Sequence, residues 1–247
     1  MSIKNYKTEK LSSDVSIYVS KEHTFGTDAV LLADFCAIKS KDVPLDMGTG
    51  CGIIPLIWCT KKMPSEIHCI DIQKNAVQQV NSSIEFNNLQ NRLFVKNADL
   101  REIEKYYKRE TFSLVSMNPP YKPLQTGIES TADSAKLARH EITCNINDAV
   151  GAAEYLLKFG GRLCMCHRPE RLADVIDAFR KNKIEPKKIR FVVDKKGEEP
   201  FLFLIEGRKG GKPFLRVLPE LSIKNENGKF SDEMMKIYGE YGEGYHQ

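Results

Sequence analysis

The chain has 247 residues, 41% hydrophobic and 28% charged, a composition ordinary for a globular α/β protein with one sizeable core. It has no run of about 18 apolar residues and its N-terminus is polar and lysine-dotted, so neither a membrane span nor a secretory leader is expected. Seven cysteines without a C-x-x-C pair and five histidines without ligand spacing predict reduced thiols in a cytoplasm and no metal site, while a net charge of +4 permits a nucleic-acid partner without requiring one.

Residues 1–23 form a short polar arm with a weak alternation at Val15, Ile17 and Val19, the pattern of a hairpin. Phe25-Gly26-Thr27-Asp28 then leads into a helix over Ala29–Cys36, which Thr27 or Asp28 can cap through a side-chain oxygen. The second possible role for this pair is to cover a ligand.

Val43-Pro44-Leu45-Asp46-Met47-Gly48-Thr49-Gly50-Cys51-Gly52-Ile53 reads as a strand, a glycine-rich turn and the start of a helix. Glycines at 48, 50 and 52 let backbone pass close to a ligand, and the helix start offers free N–H groups. The dinucleotide fingerprint G-x-G-x-x-G wants its third glycine where Ile53 stands. D-x-G-x-G-x-G suits instead a nucleoside with an amino acid attached.

Glu66–Asp71 is the second predicted strand, and Asp71 at its end has the place of an acid that accepts from both ribose hydroxyls. A helix over Lys74–Asn87 follows, with Ala76, Val77, Val80 and Ile84 on one face. His68, inside the strand, reads as a packed core residue. Arg92–Val95 is a third strand, and beyond it Asp99 either accepts from an adenine amino group or caps a turn.

Phe112–Met117 reads as the fourth strand, and Asn118-Pro119-Pro120-Tyr121 stands at its carboxyl end. The Asn118 side-chain oxygen and the Pro119 carbonyl can each accept a hydrogen bond from one nitrogen, with no proline N–H to compete. Tyr121 can stack on the planar group that bears it. Two acceptors on one amine draw an sp2 nitrogen toward a tetrahedral, nucleophilic form, so no strong base is needed. The competing reading is a tight Pro-Pro turn with an incidental tyrosine.

An aperiodic stretch from Lys122 to Ser134 follows, long enough to be a functional loop, and leads to Ala138-Arg139-His140-Glu141. Arg139 and His140 either enter a polar helix or meet phosphate and base. Asp148–Lys158 is a predicted helix stopped by Gly160-Gly161, Gly161–Cys166 a fifth strand, Glu170–Lys181 a helix, and Lys188–Val193 a sixth strand. Phe201–Ile205, reached without a helix, is a seventh and antiparallel strand. A short helix over Asp232–Tyr238 closes the chain. Between Arg180 and Arg216 stand twelve Lys or Arg against five Asp or Glu, either a solvated surface or a patch for RNA. Nothing marks a linker or a repeat, so 1–247 is expected to be one domain: the arm 1–23, then a core 24–247 with its C-terminal helix.

The alternation of strands and helices, with the glycine loop after strand one and Asn-Pro-Pro-Tyr after strand four, resembles the Rossmann-like class I S-adenosylmethionine-dependent methyltransferases. Asp46–Gly52 matches their first motif, and Asn118–Tyr121 the motif of those that methylate amino nitrogens on planar groups. Within that class the chain is similar to the bacterial tRNA-Val adenine N(6)-methyltransferases, on Phe25-Gly26-Thr27-Asp28, Ala138-Arg139-His140-Glu141 and the terminal helix. The resemblance implies an α/β fold with a seven-stranded, mostly parallel sheet flanked by helices and an antiparallel last strand. It implies S-adenosyl-L-methionine as cofactor, held by Thr27, Asp28, Asp46, Gly48, Gly50, Gly52, Asp71, Ile72, Asp99 and Asn118. Catalysis falls to Asn118, Pro119, Pro120 and Tyr121. The RNA side falls to Tyr121, Lys122, Arg139 and His140, with Lys187, Lys188 and Arg190 from the basic stretch. The expected partner is tRNA, without metal or membrane, and a monomer is favoured. Release-factor-type glutamine methyltransferases share N-P-P-Y but carry a helical domain ahead of the glycine motif, for which 45 residues are too few. A ribosomal RNA or DNA adenine methyltransferase and a non-catalytic RNA-binding module also compete with the tRNA enzyme.

Overall fold

The computed structural model describes residues 6–61, 64–119 and 145–239. At its start, β1 (Lys7–Lys10) and β2 (Ser16–Val19) pair as an antiparallel hairpin, with Val15, Ile17 and Val19 buried. Helix α1 (Thr27–Phe35) follows, then β3 (Pro44–Met47), α2 (Ile53–Thr60), β4 (Ile67–Asp71) and α3 (Lys74–Phe86). The inward face of α3 is not wholly apolar. Gln79 Nε2 donates to the Tyr18 and His23 carbonyls at 2.8 and 2.9 Å, Ser83 Oγ accepts the Tyr18 N–H, and Asn87 bonds both backbone groups of Ser16. These side chains satisfy the second edge of β2, which would otherwise be left unpaired.

Neither Thr27 nor Asp28 caps α1: Gly26 holds the N-cap position and no side-chain oxygen serves there. Both residues lie in the first turn, and their side chains have partners elsewhere in the chain.

The remaining strands are β5 (Leu93–Asn97), β6 (Phe112–Met117), β7 (Leu157–His167), β8 (Ile184–Lys195), β9 (Leu202–Lys209), β10 (Arg216–Val217) and β11 (Leu221–Lys224). The sheet runs β10-β8-β9-β7-β6-β3-β4-β5, with β11 also on β8. Pairs from β7 through β5 are parallel, whereas β9 is antiparallel to both of its neighbours, β7 and β8. The seven expected strands are thus present with the antiparallel one in place, and β10 and β11 extend the β8 edge. Helix α4 (Ile146–Leu156) opens with a reciprocal Asn145–Asp148 capping box and ends before Leu157. The glycines at 160 and 161 therefore do not stop it. β7 starts at Leu157 and passes through them, with an irregularity in its register against β6.

Two apolar layers sandwich the sheet. One packs α1, α2 and α3 with the hairpin around Trp58, and the other packs α4 and α5 (Leu172–Lys181) around Phe112, Phe179 and Phe203. His68 is half-buried rather than fully core: its ring packs among Phe94, Tyr107 and Phe112, burial lowers its pKa, and its Nε2 lies 2.7 Å from the exposed Glu66 carboxylate. The last helix, α6 (Asp232–Tyr238), is capped by Ser231 and tied to β8 by a two-pronged Arg190–Glu233 pair at 2.7 Å.

From β3 the chain steps through β4 to β5 on one side, while β6 and β7 lie on the other. That reversal opens a crevice at the carboxyl ends of β3 and β6, the place where open α/β sheets bind ligands.

Candidate active site

The crevice is a cleft of about 390 Å³, walled by Phe25, Gly26, Asp28, Asp46, the Gly48–Cys51 turn and Asn118 among others. Gly48 and Gly50 have φ of +69° and +56°, and a Cβ on either would meet nothing within 4 Å, so both border open space. Gly52, at φ +85°, is the N-cap of α2 and is needed for packing too: a Cβ there would lie 2.9 Å from Val80 Cγ2.

The glycine turn is latched to β4. Gly48 and Thr49 donate to the Ile70 carbonyl, and Gly50 N donates to Asp71 Oδ2 at 2.9 Å while Gln73 N donates to Oδ1 at 2.8 Å. Asp71 therefore shapes the loop directly, which its spacing from Asp46 did not reveal. Ile72 beside it is 45% exposed, an apolar side chain at a strand end where a planar group can rest.

Asp46 is buried beneath the turn. Its Oδ1 accepts from Ser116 Oγ at 2.6 Å, its register partner on β6, while Oδ2 and Thr49 Oγ1 have no hydrogen-bond partner among the described residues. Burial pushes the Asp46 pKa up to about 7, against lowering by the Ser116 and Thr49 hydroxyls and with a further push from the Asp71 charge. Thr49 acts here by nearness alone, since its hydroxyl is outside hydrogen-bonding geometry.

Asn118 is held from two sides. Its Nδ2 donates to Asp28 Oδ2 at 3.0 Å, and its Oδ1 accepts from Cys166 Sγ at 3.1 Å. A carboxylate can only accept, so Asp28 fixes which end of the amide faces α1. The α1 turn is held in its own right, for Tyr238 OH donates to Thr27 Oγ1 at 3.1 Å.

Asp99 stands apart from this group. It caps the 3-10 turn Leu100–Lys105, and the Arg101 guanidinium grips its carboxylate and lowers its pKa. Of the two readings the sequence left open, the cap is the one seen. Two of the basic residues expected at RNA are occupied as well: Lys188 pairs with Glu206 at 3.1 Å, and Arg190 with Glu233. Lys187 Nζ donates to the Lys212 carbonyl and has no ion-pair partner among the described residues. Pro120, Tyr121, Lys122, Arg139 and His140, with the whole Lys122–Ser134 stretch, lie outside the described residues. His167, with no role assigned from sequence, has its ring over Phe203, and burial takes its pKa down to about 4.

Ser116, Thr49 and Cys166 were missed by sequence reasoning. Each matters through a partner on another strand or loop, and none carries a local pattern of its own.

Among the described residues no group of His, Cys, Asp or Glu could hold a metal ion, and no helix is long and apolar enough to cross a membrane. The cleft fits an amino acid joined to a nucleoside. The orphaned Asp46 Oδ2 and Thr49 Oγ1 suit an amino group, the open backbone at Gly48 and Gly50 admits close approach, and Ile72, exposed just after β4 and outside the cleft lining, offers an apolar rest for the nucleoside.

A predicted O-methyltransferase of Agrobacterium tumefaciens superposes with a TM-score of 0.71 at 20% identity, covering 87% of this chain and 97% of that one. A tRNA methyltransferase of M. jannaschii superposes at 0.56 with 18% identity, covering 85% and 59%. The fold is therefore that of the Rossmann-like methyltransferases. A match to the Methyltransferase small domain covers residues 9–193, and the chain belongs to that family. Relatives named "tRNA1(Val) (adenine(37)-N6)-methyltransferase" include one from Pasteurella multocida (strain Pm70), 28% identical over 57% of this chain and 58% of the relative. Another, from Phocaeicola vulgatus, is 24% identical over 87% of this chain and 89% of the relative. The match thus spans little more than half the length of the first of these relatives.

Proposed function

We propose that the protein transfers a methyl group from S-adenosylmethionine to the exocyclic amino group of an adenosine in tRNA, the one 3′ of the anticodon of tRNA-Val. The observation that carries this reading is the fixed Asn118 amide, at the end of β6 beside the cleft, with the Pro119 carbonyl next to it. The names of the relatives support adenine and tRNA.

S-adenosylmethionine supplies an electrophilic methyl on a sulfonium sulfur. Asp46 and Asp28 would hold the methionyl amino group, the turn from Gly48 to Gly52 its backbone-like end, Asp71 the ribose hydroxyls and Ile72 one face of the adenine. Asp99 can still reach the adenine amine while Arg101 shares its carboxylate, and Thr27 keeps the α1 turn against the cofactor. Asn118 Oδ1 and the Pro119 carbonyl would each accept one hydrogen of the target amine, turning its lone pair toward the methyl. Pro120 would restrict the backbone there, and Tyr121 would stack on the splayed base, a contact worth about 1–3 kcal/mol against unstacking. The methyl that the cofactor supplies would replace one hydrogen of the amine, whose proton would leave to water. Catalysis is positioning and electrostatics.

Asn118→Ala tests the assignment. Transfer to tRNA should be lost while calorimetric cofactor affinity stays within a fewfold, and unchanged turnover would remove Asn118 from catalysis.

A further inference from the structure

The end of the sheet opposite the cleft carries an aromatic and basic surface that the site does not use. It is built where β7 begins and β9 ends, and about 26 Å of extended strand separate Phe159 from His167 at the cleft end of β7. Phe159 is 78% exposed and Phe214 75%. Neither ring is adrift. A Cβ on Gly210 would sit 2.3 Å from the Phe159 ring, so that ring lies against the glycine. Phe214 has the Lys187 ammonium 6.0 Å from its centroid, and its backbone φ of +149° lies where L residues rarely go. The Lys187–Lys212 hydrogen bond ties this loop to β8.

Around the rings stand Lys158, Lys187, Arg208 and Lys212. None of these has an ion-pair partner among the described residues, whereas Lys188, Arg190 and Lys209 close by are all paired with glutamates. Two outward rings amid unpaired cations match neither a core remnant nor a self-complementary interface. A second copy would bring like charges face to face, which is unfavourable. A polyanion with planar groups satisfies both features at once: phosphates for the cations, unpaired bases for the rings.

We propose that this surface binds RNA, taking a second stretch of the tRNA substrate remote from the nucleotide being methylated. The identity of that RNA rests on the function proposed above; the binding does not. The β10–β11 edge joins the two ends of the sheet, and Arg216 stands exposed along it.

The test compares binding of full-length tRNA and of an isolated anticodon stem-loop across a salt series. The variants are Phe159→Ala/Phe214→Ala and Lys158→Ala/Lys187→Ala/Lys212→Ala, with cofactor calorimetry to verify their fold. Wild type should bind the full tRNA more tightly than the stem-loop. The aromatic pair should weaken full-length binding about fivefold or more, the low end of stacking on one ring. Neutralising the three lysines should flatten the slope of log affinity against log salt by about 2–3. Stem-loop binding should not change in either variant. Equal affinity for the two RNAs, or variants that leave slope and affinity untouched, would overturn the proposal. So would a wild-type dimer that the aromatic variant dissociates, which would assign the surface to a second copy. Absence of N(6)-methyladenosine with variant-sensitive tRNA binding would sink the catalytic reading and leave this one standing. Full methylation with all variants alike would do the reverse.

Discussion

Replacing Asp46 with asparagine should make the cofactor-free protein more stable at neutral pH, although it removes a residue of the proposed cofactor site. The carboxyl is buried, with one oxygen accepting from Ser116 and the other unpartnered, and its pKa rises from the ordinary 3.8 to about 7. Between about pH 4 and pH 7 the folded state holds a proton that the unfolded chain has lost, so stability falls as pH rises through that window. Below it the penalty is absent, and above it fully present. At about 1.4 kcal/mol per pKa unit the ceiling of the effect is about 4 kcal/mol. An asparagine keeps the acceptor for Ser116 Oγ–H and brings no charge into the buried site, so the pH-dependent penalty is removed. For a chain of this size the ceiling amounts to about 8–16 °C in Tm. The assay is thermal unfolding of the cofactor-free wild type and Asp46→Asn from about pH 4 to pH 8, read as the difference so that other titrating groups cancel. The two Tm curves should meet at the acid end and part steadily toward neutral pH, with the variant above. Parallel curves, or a variant that is less stable at pH 8, would refute the buried-charge argument.

Asp28→Asn should lower turnover about tenfold, a loss within the range for hydrogen bonds to charged groups, because Asn118 is then free to present either end of its amide. Calorimetric cofactor affinity should fall less than turnover does; a loss of affinity as large as the loss of turnover would mean that Asp28 acts on the cofactor alone. Asp71→Asn should weaken the cofactor by tenfold or more, since the Gly50 N–H loses its carboxylate latch as well as the ribose its acceptor, and unaltered calorimetric affinity would remove both roles. Gly52→Ala should destabilise the fold by about 2 kcal/mol or more, because φ of +85° and the Val80 methyl both oppose a Cβ; equal denaturant midpoints would show that the turn can adjust.

Much of this site is written locally in the chain. The D-x-G-x-G-x-G run and the Asn-Pro step each combine a strand end with residues that disfavour ordinary packing, and that combination is visible over a few positions. The antiparallel β9 was legible because no helix separates it from β8. What the sequence hides is tertiary partnership. Thr27 and Asp28 look like caps, yet their partners are Tyr238 and Asn118, far along the chain. Lys188 and Arg190 look like a free basic patch until Glu206 and Glu233 fold against them. Asp99 differs, since the partner that grips its carboxylate is its near neighbour Arg101. Near Gly160 the Leu157-Lys158-Phe159 segment fits a helix end or a strand start equally well, and pairing of Leu157 with Phe112 of β6 decides for the strand.

The most direct measurement is methyl transfer from labelled S-adenosylmethionine to total tRNA and, separately, to total protein, with nucleoside analysis of the product. The account predicts N(6)-methyladenosine in tRNA with wild type and none with Asn118→Ala. Label in protein, or in a tRNA nucleoside other than adenosine, would contradict it.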